Sequence, residues 1–217
     1  MIQVHAFTFN PFEENTYVLY DETQEAVIID PGCFEKEEQA ELVEFIDAKK
    51  LKVKLLLNTH CHIDHVLGNY FVKEKYKVPF LIHKNDDPVL RSVKAYAPSY
   101  GFNLYREVLP DGYLAEGNTV SFGNTTFDIL FLPGHAPGHI GFYHKASHSL
   151  LSGDVLFEQS IGRTDLPGGD FNTLIKSIHQ KIFTLPDNVV VYPGHGNTTT
   201  VGEEKISNPF CALNVSQ

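Results

Sequence analysis

The sequence has few cysteines, no long apolar run and no cluster of basic residues, and each absence excludes a class of protein. Cys33, Cys61 and Cys211 have no paired spacing, which argues against a disulfide framework and favours plain thiols in a reducing compartment. No apolar run approaches the roughly 18 to 20 residues that a membrane-spanning helix needs, so no membrane span is expected. The chain has 27 acidic and 17 basic residues and a formal net charge of −10, so it repels polyanions and a nucleic-acid substrate is not expected.

The length and the first residues suggest a simple organisation. The start, MIQVHAFTFNPF, has no basic region followed by an apolar stretch, so no secretory signal is visible and we expect a cytoplasmic protein. A chain of 217 residues can bury a substantial core without a second domain, so we predict one domain over residues 1–217. The sequence does not indicate the oligomeric state.

The hydrophobic pattern predicts an α+β protein with two halves, each consisting of strands followed by a helix. Strands are predicted at residues 2–9, 15–20, 26–30, 53–58, 78–83, 119–123, 125–132, 139–145, 149–157 and 188–194. Helices are predicted at residues 35–50, 66–76 and 171–185, the first and last with an apolar face, and a short helix is predicted at 87–97. This order favours a four-layer αββα sandwich, with helices outside two facing sheets. The segment 84–117 has no regular spacing of hydrophobic residues, and we expect a lid or substrate loop there.

Four candidate metal ligands occupy six positions directly after the predicted strand at 53–58. His60 and His62 are two residues apart and share a face of an extended backbone, while the turn into the next helix directs Asp64 and His65 to an adjacent point. Imidazole and carboxylate are ligands that zinc and similar divalent ions accept. One short loop can therefore serve two neighbouring ions.

Three further candidate ligands, His135, Asp154 and His195, each follow an apolar strand and a glycine. Loops at strand ends converge on one edge of a sheet, so we expect these side chains to join the histidine-rich loop in one metal site. His139 fits either a role in orienting a ligand or a packed core position. No role is assigned to the remaining candidates, which are His5, Cys61, His83, His144, His148 and His179.

At this point the sequence resembles the metallo-β-lactamase fold superfamily, through HCHIDH at 60–65, GH at 134–135, GD at 153–154 and GH at 194–195. SGDVLFEQSIGRTDLPGGD and PGHG are similar to type II glyoxalases (hydroxyacylglutathione hydrolases), particularly their small bacterial relatives. The resemblance implies an αββα sandwich with two metals at one edge. It assigns one metal to His60, His62 and His135, the other to Asp64, His65 and His195, and a bridging position to Asp154. Asp64 and Asp154 are then the expected catalytic carboxylates.

The resemblance implies two divalent ions, zinc in the first place with iron and manganese also compatible, and a small-molecule acyl thioester substrate such as S-lactoylglutathione. Larger glyoxalases add a C-terminal helical segment that helps to bind glutathione, whereas only residues 196–217 follow the last ligand here. The thiol portion of the substrate is therefore left open. Arg163 and residues 167–170 fit either a substrate-side loop or a structural turn in which Arg163 pairs with a neighbouring carboxylate.

Two other functions compete with hydrolysis. Persulfide dioxygenases also resemble this sequence, share GRTD after the GD ligand and use a single iron, which His60, His135 and Asp154 would hold. A structural zinc protein that binds a partner would fill every coordination position with side chains. Seven candidate ligands for two ions leave room for solvent, which favours an enzyme over a structural zinc site.

Overall fold

The computed structural model describes residues 2–213, and the chain divides into two compact units. Unit 1 contains residues 2–114 and 121–126, and unit 2 contains residues 115–120 and 127–213. Within the described residues, no helix combines the length and the apolar character that crossing a bilayer requires. The single domain expected over residues 1–217 stays a prediction.

Unit 1 is built on a six-stranded sheet whose strands follow one another in chain order. The strands are β1 (Gln3–Phe9), β2 (Glu14–Tyr20), β3 (Glu25–Ile29), β4 (Lys52–Leu57), β5 (Phe80–His83) and β6 (Gly112–Leu114). The pairs β1–β2 and β2–β3 are antiparallel, and β3 to β6 pair in parallel. Parallel neighbours need crossover segments, which here contain helices. These helices are α1 (Lys36–Ala48), α2 (Ile63–Val66), α3 (Asn69–Tyr76) and α4 (Asp87–Tyr96).

The helix predicted at 66–76 was wrong in its bounds, because the chain forms two helices with a break at residues 67 and 68. At the break the Gly68 N–H donates a hydrogen bond to the Pro31 carbonyl over 2.7 Å. A Cβ atom on Gly68 would lie 2.6 Å from the Cys33 Sγ atom. The histidine-rich loop and α2 are therefore packed closely against residues 31–33, and this contact between distant segments separates α2 from α3.

The segment 84–117 contains the short helix that the sequence predicts. Helix α4 is followed by a 3₁₀ turn at Ala97–Tyr100, and strand β6 closes the segment. Its role as a lid or substrate loop stays a prediction.

The second six-stranded sheet has the strand order β14-β13-β10-β9-β8-β7. Its strands are β7 (Thr119–Phe122), β8 (Thr125–Phe131), β9 (Ile140–His144), β10 (Ser149–Gly153), β13 (Val190–Pro193) and β14 (Thr199–Thr200). A separate hairpin is formed by β11 (Leu156–Phe157) and β12 (Ser160–Ile161), so the strand predicted at 149–157 is in fact two. The backbone turns away at Gly153, whose φ of 50° is in the left-handed region that glycine tolerates.

The helix predicted at 171–185 also differs from the structure. Helix α5 (Phe171–Ser177) continues as a π-helical turn at Ile178–Ile182, in which the Phe183 N–H donates to the Ile178 carbonyl over 2.8 Å. The apolar stripe still faces the core, since Ile178 and Ile182 are fully buried. Side-chain periodicity predicts the buried face but does not encode the wider hydrogen-bond spacing. A further helix, α6 (Val201–Ser207), follows β14 and is not among the helices predicted from the sequence.

Asp21 forms hydrogen bonds with two segments of unit 1 that are distant in the chain, at residue 23 and at residues 124 and 125. It is 4% exposed and accepts hydrogen bonds from the Thr23 N–H (2.9 Å), the Asn124 N–H (2.7 Å) and the Thr125 hydroxyl (2.9 Å). Burial alone would raise the pKa of Asp21, but these hydrogen bonds outweigh burial and lower the pKa. Ionised Asp21 therefore stabilises the fold above about pH 3.9, its unfolded value, and this contribution is lost as the pH falls through the lower folded-state pKa.

We expect Asp21→Asn to lower the free energy of unfolding at pH 7 by about 1–3 kcal/mol, because an amide cannot accept all of these bonds. The deficit should shrink when urea denaturation is repeated near pH 3. Asp128→Asn, at an exposed position on β8, is the control and should change little. An equal deficit for Asp21→Asn at both pH values would contradict the assignment.

Candidate metal centre

The histidine-rich loop leaves β4 with its backbone held by neighbouring side chains. The Asn58 amide donates to the His65 carbonyl over 2.7 Å, and the Cys61 N–H donates to the Asp86 carboxylate over 2.6 Å. Asn58 and Asp86 are themselves fully buried. The loop is therefore preorganised by contacts outside its own residues.

The four candidate ligands of this loop lie together in unit 1. The ring centroids of His60 and His62 are 4.8 Å apart, and those of His60 and His65 are 4.1 Å apart. The Nε2 atom of His65 lies 3.5 Å from the Oδ2 atom of Asp64. Two ligand atoms at about 2.0–2.1 Å from one tetrahedral ion are about 3.3–3.4 Å apart. Asp64 and His65 are therefore spaced as two ligands of one ion.

Asp30 contacts His65 and Thr59, and it was not identified as a site residue from the sequence. Its Oδ2 atom lies 3.2 Å from the Nδ1 atom of His65 and accepts a hydrogen bond from the Thr59 hydroxyl over 2.6 Å. The Thr59 oxygen lies 3.1 Å from the Nδ1 atom of His60. A partner at Nδ1 orients the ring so that Nε2 can bind a metal. The available signal was that Asp30 directly follows β3, as other candidate ligands follow their strands.

Asp30, His60 and His65 could also hold an ion among themselves, since one ligand atom from each lies within 4.8 Å of the others. However, both oxygens of Asp30 already accept hydrogen bonds from Thr59, through its N–H over 2.7 Å and its hydroxyl over 2.6 Å. These bonds favour Asp30 as a residue that orients His65.

Glu14 is a second carboxylate beside His65 that sequence reasoning missed. It is fully buried, its Oε1 atom lies 3.9 Å from the Nδ1 atom of His65, and its Oε2 atom accepts from the Thr16 hydroxyl over 2.8 Å. Burial raises the pKa of Glu14 well above its usual range, although the nearby His65 acts in the opposite direction. No local pattern marks this residue, because Glu14 follows another acidic residue at the start of β2.

The other three candidate ligands lie together in unit 2. Strands β8, β10 and β13 run in the same direction, because β9 is antiparallel to both β8 and β10, and β10 is parallel to β13. His135, Asp154 and His195 follow the carboxyl ends of these strands. The Asp154 Oδ2 atom lies 3.6 Å from the Nε2 atom of His135 and 3.5 Å from the Nε2 atom of His195. One carboxylate oxygen thus has ligand spacing to two imidazoles.

The supports of this trio are the buried His139 and the backbone carbonyl of Arg163. The Nδ1 atom of His135 lies 2.8 Å from the Arg163 carbonyl, which can only accept, so Nδ1 carries the proton and Nε2 is available as a ligand. The Asp154 N–H donates to the Nε2 atom of His139 over 3.0 Å. Of the two roles considered for His139, the structure therefore favours orientation of a ligand residue.

Close packing at Gly162 also supports the trio, and sequence reasoning did not predict it. A Cβ atom on Gly162 would lie 1.9 Å from the Asp154 carbonyl oxygen and 3.0 Å from the Nδ1 atom of His135. Only glycine fits this position without displacing both residues. A glycine directly after β12 was the only sequence signal.

Arg163 pairs with the neighbouring carboxylate of Asp165, with two nitrogen-to-oxygen distances of 2.7 Å. The hydrogen bonds from Arg163 lower the pKa of Asp165 to about 2. This is the structural pairing that the sequence allowed, and a substrate-side role for residues 167–170 stays a prediction.

The three cysteines are free thiols and are buried, as the lack of paired spacing predicts. Burial raises the pKa of Cys61, within the ligand loop, and raises that of Cys211 to about 12. Neither thiol is therefore a ready nucleophile.

Comparison with known proteins places these residues in a family. The model of the metallo-β-lactamase superfamily matches residues 9–195. The chain belongs to the metallo-β-lactamase superfamily. It is 40% identical over 201 residues to hydroxyacylglutathione hydrolase GloC of Haemophilus influenzae, covering 92% of this chain and 93% of the relative.

Two solved structures agree with this membership. The crystal structure of the BLEG-1 B3 metallo-β-lactamase has a TM-score of 0.85 and 35% identity, over 97% of this chain and 99% of that one. TTHA1623 in a di-iron-bound form has a TM-score of 0.84 and 36% identity, over 95% of this chain and 100% of that one. These matches confirm the predicted α+β fold class. The superfamily fold implies divalent metal binding, and the family together with its named relative supports a hydrolase.

Proposed function

We propose that this superfamily member is a binuclear metal-dependent hydrolase of small-molecule acyl thioesters, such as S-lactoylglutathione. The observation that carries the proposal is the position of the Asp154 Oδ2 atom, 3.6 Å from one imidazole nitrogen and 3.5 Å from another. An oxygen in this position suits a carboxylate that bridges two ions. The name of the Haemophilus influenzae relative and the di-iron form of TTHA1623 support the substrate class and the two metals.

The proposed ligand sets follow the superfamily pattern. One ion would be held by His60, His62 and His135 and the second by Asp64, His65 and His195, and Asp154 would be a ligand shared by both. The donor chemistry fits zinc, with iron and manganese as compatible alternatives, because imidazole nitrogen and carboxylate oxygen are ligands that these divalent ions accept. When bound, such ions lower the pKa of a water molecule and polarise an acyl carbonyl.

The carboxylates of the proposed site and the chemistry of the thioester provide the remaining requirements for hydrolysis. Asp64 and Asp154 are carboxylates of the proposed site that could accept a proton from the attacking water. A thiolate leaves without strong acid assistance, because a thiol is far more acidic than an alcohol. No protein nucleophile is needed, in agreement with the burial of Cys61.

The proposal is tested with metal-loaded protein, a panel of glutathione and simple thioesters, and element counting. We expect thioester turnover, two metals per chain, and a fall in kcat/KM of about 10²- to 10³-fold for His62→Ala. The control is His5→Ala, which should retain activity. His5 lies on β1, and its ring stacks against Phe45 with ring centroids 3.9 Å apart.

Two results would reject thioester hydrolysis at the proposed metal centre. The first is absence of turnover for every thioester in the panel, and the second is turnover that His62→Ala leaves unchanged. One iron per chain together with oxygen uptake on glutathione persulfide would instead favour the dioxygenase reading of His60, His135 and Asp154.

A further inference from the structure

Unit 1 presents a cluster of aromatic side chains that the proposed metal centre does not use. We call Phe12, Tyr96, Tyr100 and Phe102 the aromatic patch. Ring centroids are 5.9 Å apart for Phe12 and Tyr100, 6.1 Å for Phe12 and Phe102, and 6.0 Å for Tyr96 and Tyr100. Phe12 is 37% exposed and Tyr100 is 58% exposed, so two large rings of the patch face solvent. A contiguous exposed apolar surface is a feature of binding sites.

The aromatic patch adjoins Asp64 through the loop between β1 and β2. The Phe12 N–H donates to the Asn10 side-chain oxygen over 3.0 Å, and the Asn10 amide donates to the Asp64 carbonyl over 3.1 Å. At the other side of the patch, helix α4, which ends at Tyr96, contacts helix α2, which contains Asp64. The loop that contains Phe12 and the helix that ends at Tyr96 therefore both contact the segment that contains Asp64.

The loop that carries Phe12 is held in a defined conformation. Asn10 and Glu13 have φ values of 54° and 57°, in the left-handed region that is unfavourable for residues with a Cβ atom. The Asn10 N–H donates to the Glu38 carboxylate over 2.6 Å, and the Asn10 amide also donates to the Gly32 carbonyl over 3.2 Å. These contacts stabilise a conformation that leaves Phe12 at the surface instead of in the core. The patch is thus preorganised, which lowers the entropic cost of binding a ligand.

We propose that the aromatic patch binds the apolar portion of the thioester substrate, so that the preferred substrates carry an alkyl or aryl group beside the scissile bond. This inference rests on the proposed thioester hydrolysis. Flat aromatic side chains bury alkyl and aryl groups favourably and offer few hydrogen bonds to strongly polar groups. Phe12 and Tyr100 are the expected specificity determinants, because they are the exposed members of the patch.

The test measures kcat/KM for two series of substrates with metal-loaded protein. In one series the acyl group lengthens from acetyl to hexanoyl on glutathione, and in the other the thiol lengthens while the acyl group stays acetyl. We expect kcat/KM to rise about two- to four-fold per added methylene in one of the series, which also identifies the side that meets the patch. Phe12→Ala and Tyr100→Ala should flatten that series, and Tyr100→Phe should preserve it.

Binding gives a second measurement that does not require turnover. The affinities of S-methyl-, S-butyl- and S-hexylglutathione, measured by calorimetry, should increase with chain length for the wild type and less for Phe12→Ala. Tyr113→Ala is the matched control, since Tyr113 is 48% exposed and lies on strand β6. A thermal unfolding curve checks that each variant is folded.

Failure of this inference is distinguishable from failure of the proposed function. Turnover that does not depend on chain length in either series, or an equal effect of Phe12→Ala and Tyr113→Ala, overturns the aromatic patch as a binding surface. Absence of all turnover overturns the proposed function, and the thioether affinities then decide whether the patch still binds apolar groups.

Discussion

Replacing Asp154 with alanine is expected to lower kcat/KM for thioesters by about 10³-fold or more and to reduce the metal content of the purified protein. The Asp154 Oδ2 atom lies within 3.6 Å of ligand nitrogens on both His135 and His195. Removal of this carboxylate leaves two imidazoles without their common neighbour and removes one negative charge that balances the cations. The measurements are steady-state kinetics and element counting on the same preparation.

The control for this experiment is Asp128→Ala, which removes a carboxylate at an exposed position on β8. Its activity and metal content should match those of the wild type. If Asp154→Ala retains two metals per chain and wild-type kinetics, the proposed role of Asp154 as a ligand shared by two ions is wrong.

Gly162→Ala should also cause a large loss of activity, although it removes no ligand. The added Cβ atom would lie 1.9 Å from the Asp154 carbonyl oxygen, a distance that backbone movement must relieve. The movement displaces Asp154 and its neighbour His135 together, and a ligand misplaced by about 1 Å can cost about 10²-fold in rate. We expect kcat/KM to fall by about 10²-fold and metal to dissociate more readily during dialysis against a chelator.

Gly112→Ala is the matched control for this substitution. A Cβ atom there would meet only the end of the Leu81 side chain, at 3.1 Å, and this side chain can move. Comparable losses in Gly162→Ala and Gly112→Ala would indicate a general effect on the fold. Full activity of Gly162→Ala would show that the packing around Asp154 is not needed for the site.

Local pattern predicted the elements whose signal lies within a few residues. The apolar run before His60 is β4, and the predicted helix at 35–50 is α1, with Leu42 and Ile46 buried. Errors arose where distant segments meet. Helix 66–76 is broken because Gly68 packs against Pro31 and Cys33, and no property of the helix sequence reports that contact.

The candidate ligands show the same difference between local sequence signals, which could be used for prediction, and contacts between distant segments, which could not. Histidines and aspartates that follow apolar strands could be identified because ligand chemistry and strand ends are both visible in the sequence. The contacts that orient these ligands could not be predicted, because they join positions that are distant in the chain, and for His139 the sequence left an orienting role and a packed position open. Asp30 and His65 are one example, and Asp154 and His139, fifteen residues apart, are another.

The sequence by itself determined the residue types of the site and the strand ends from which they extend, since both follow from local composition and periodicity. Only the tertiary structure decided which nitrogen of each ring has a protein partner, which glycine must lack a side chain, and which aromatic rings adjoin Asp64. These features are set by distances between segments that are far apart in the chain, and such distances are not encoded in any short stretch of residues.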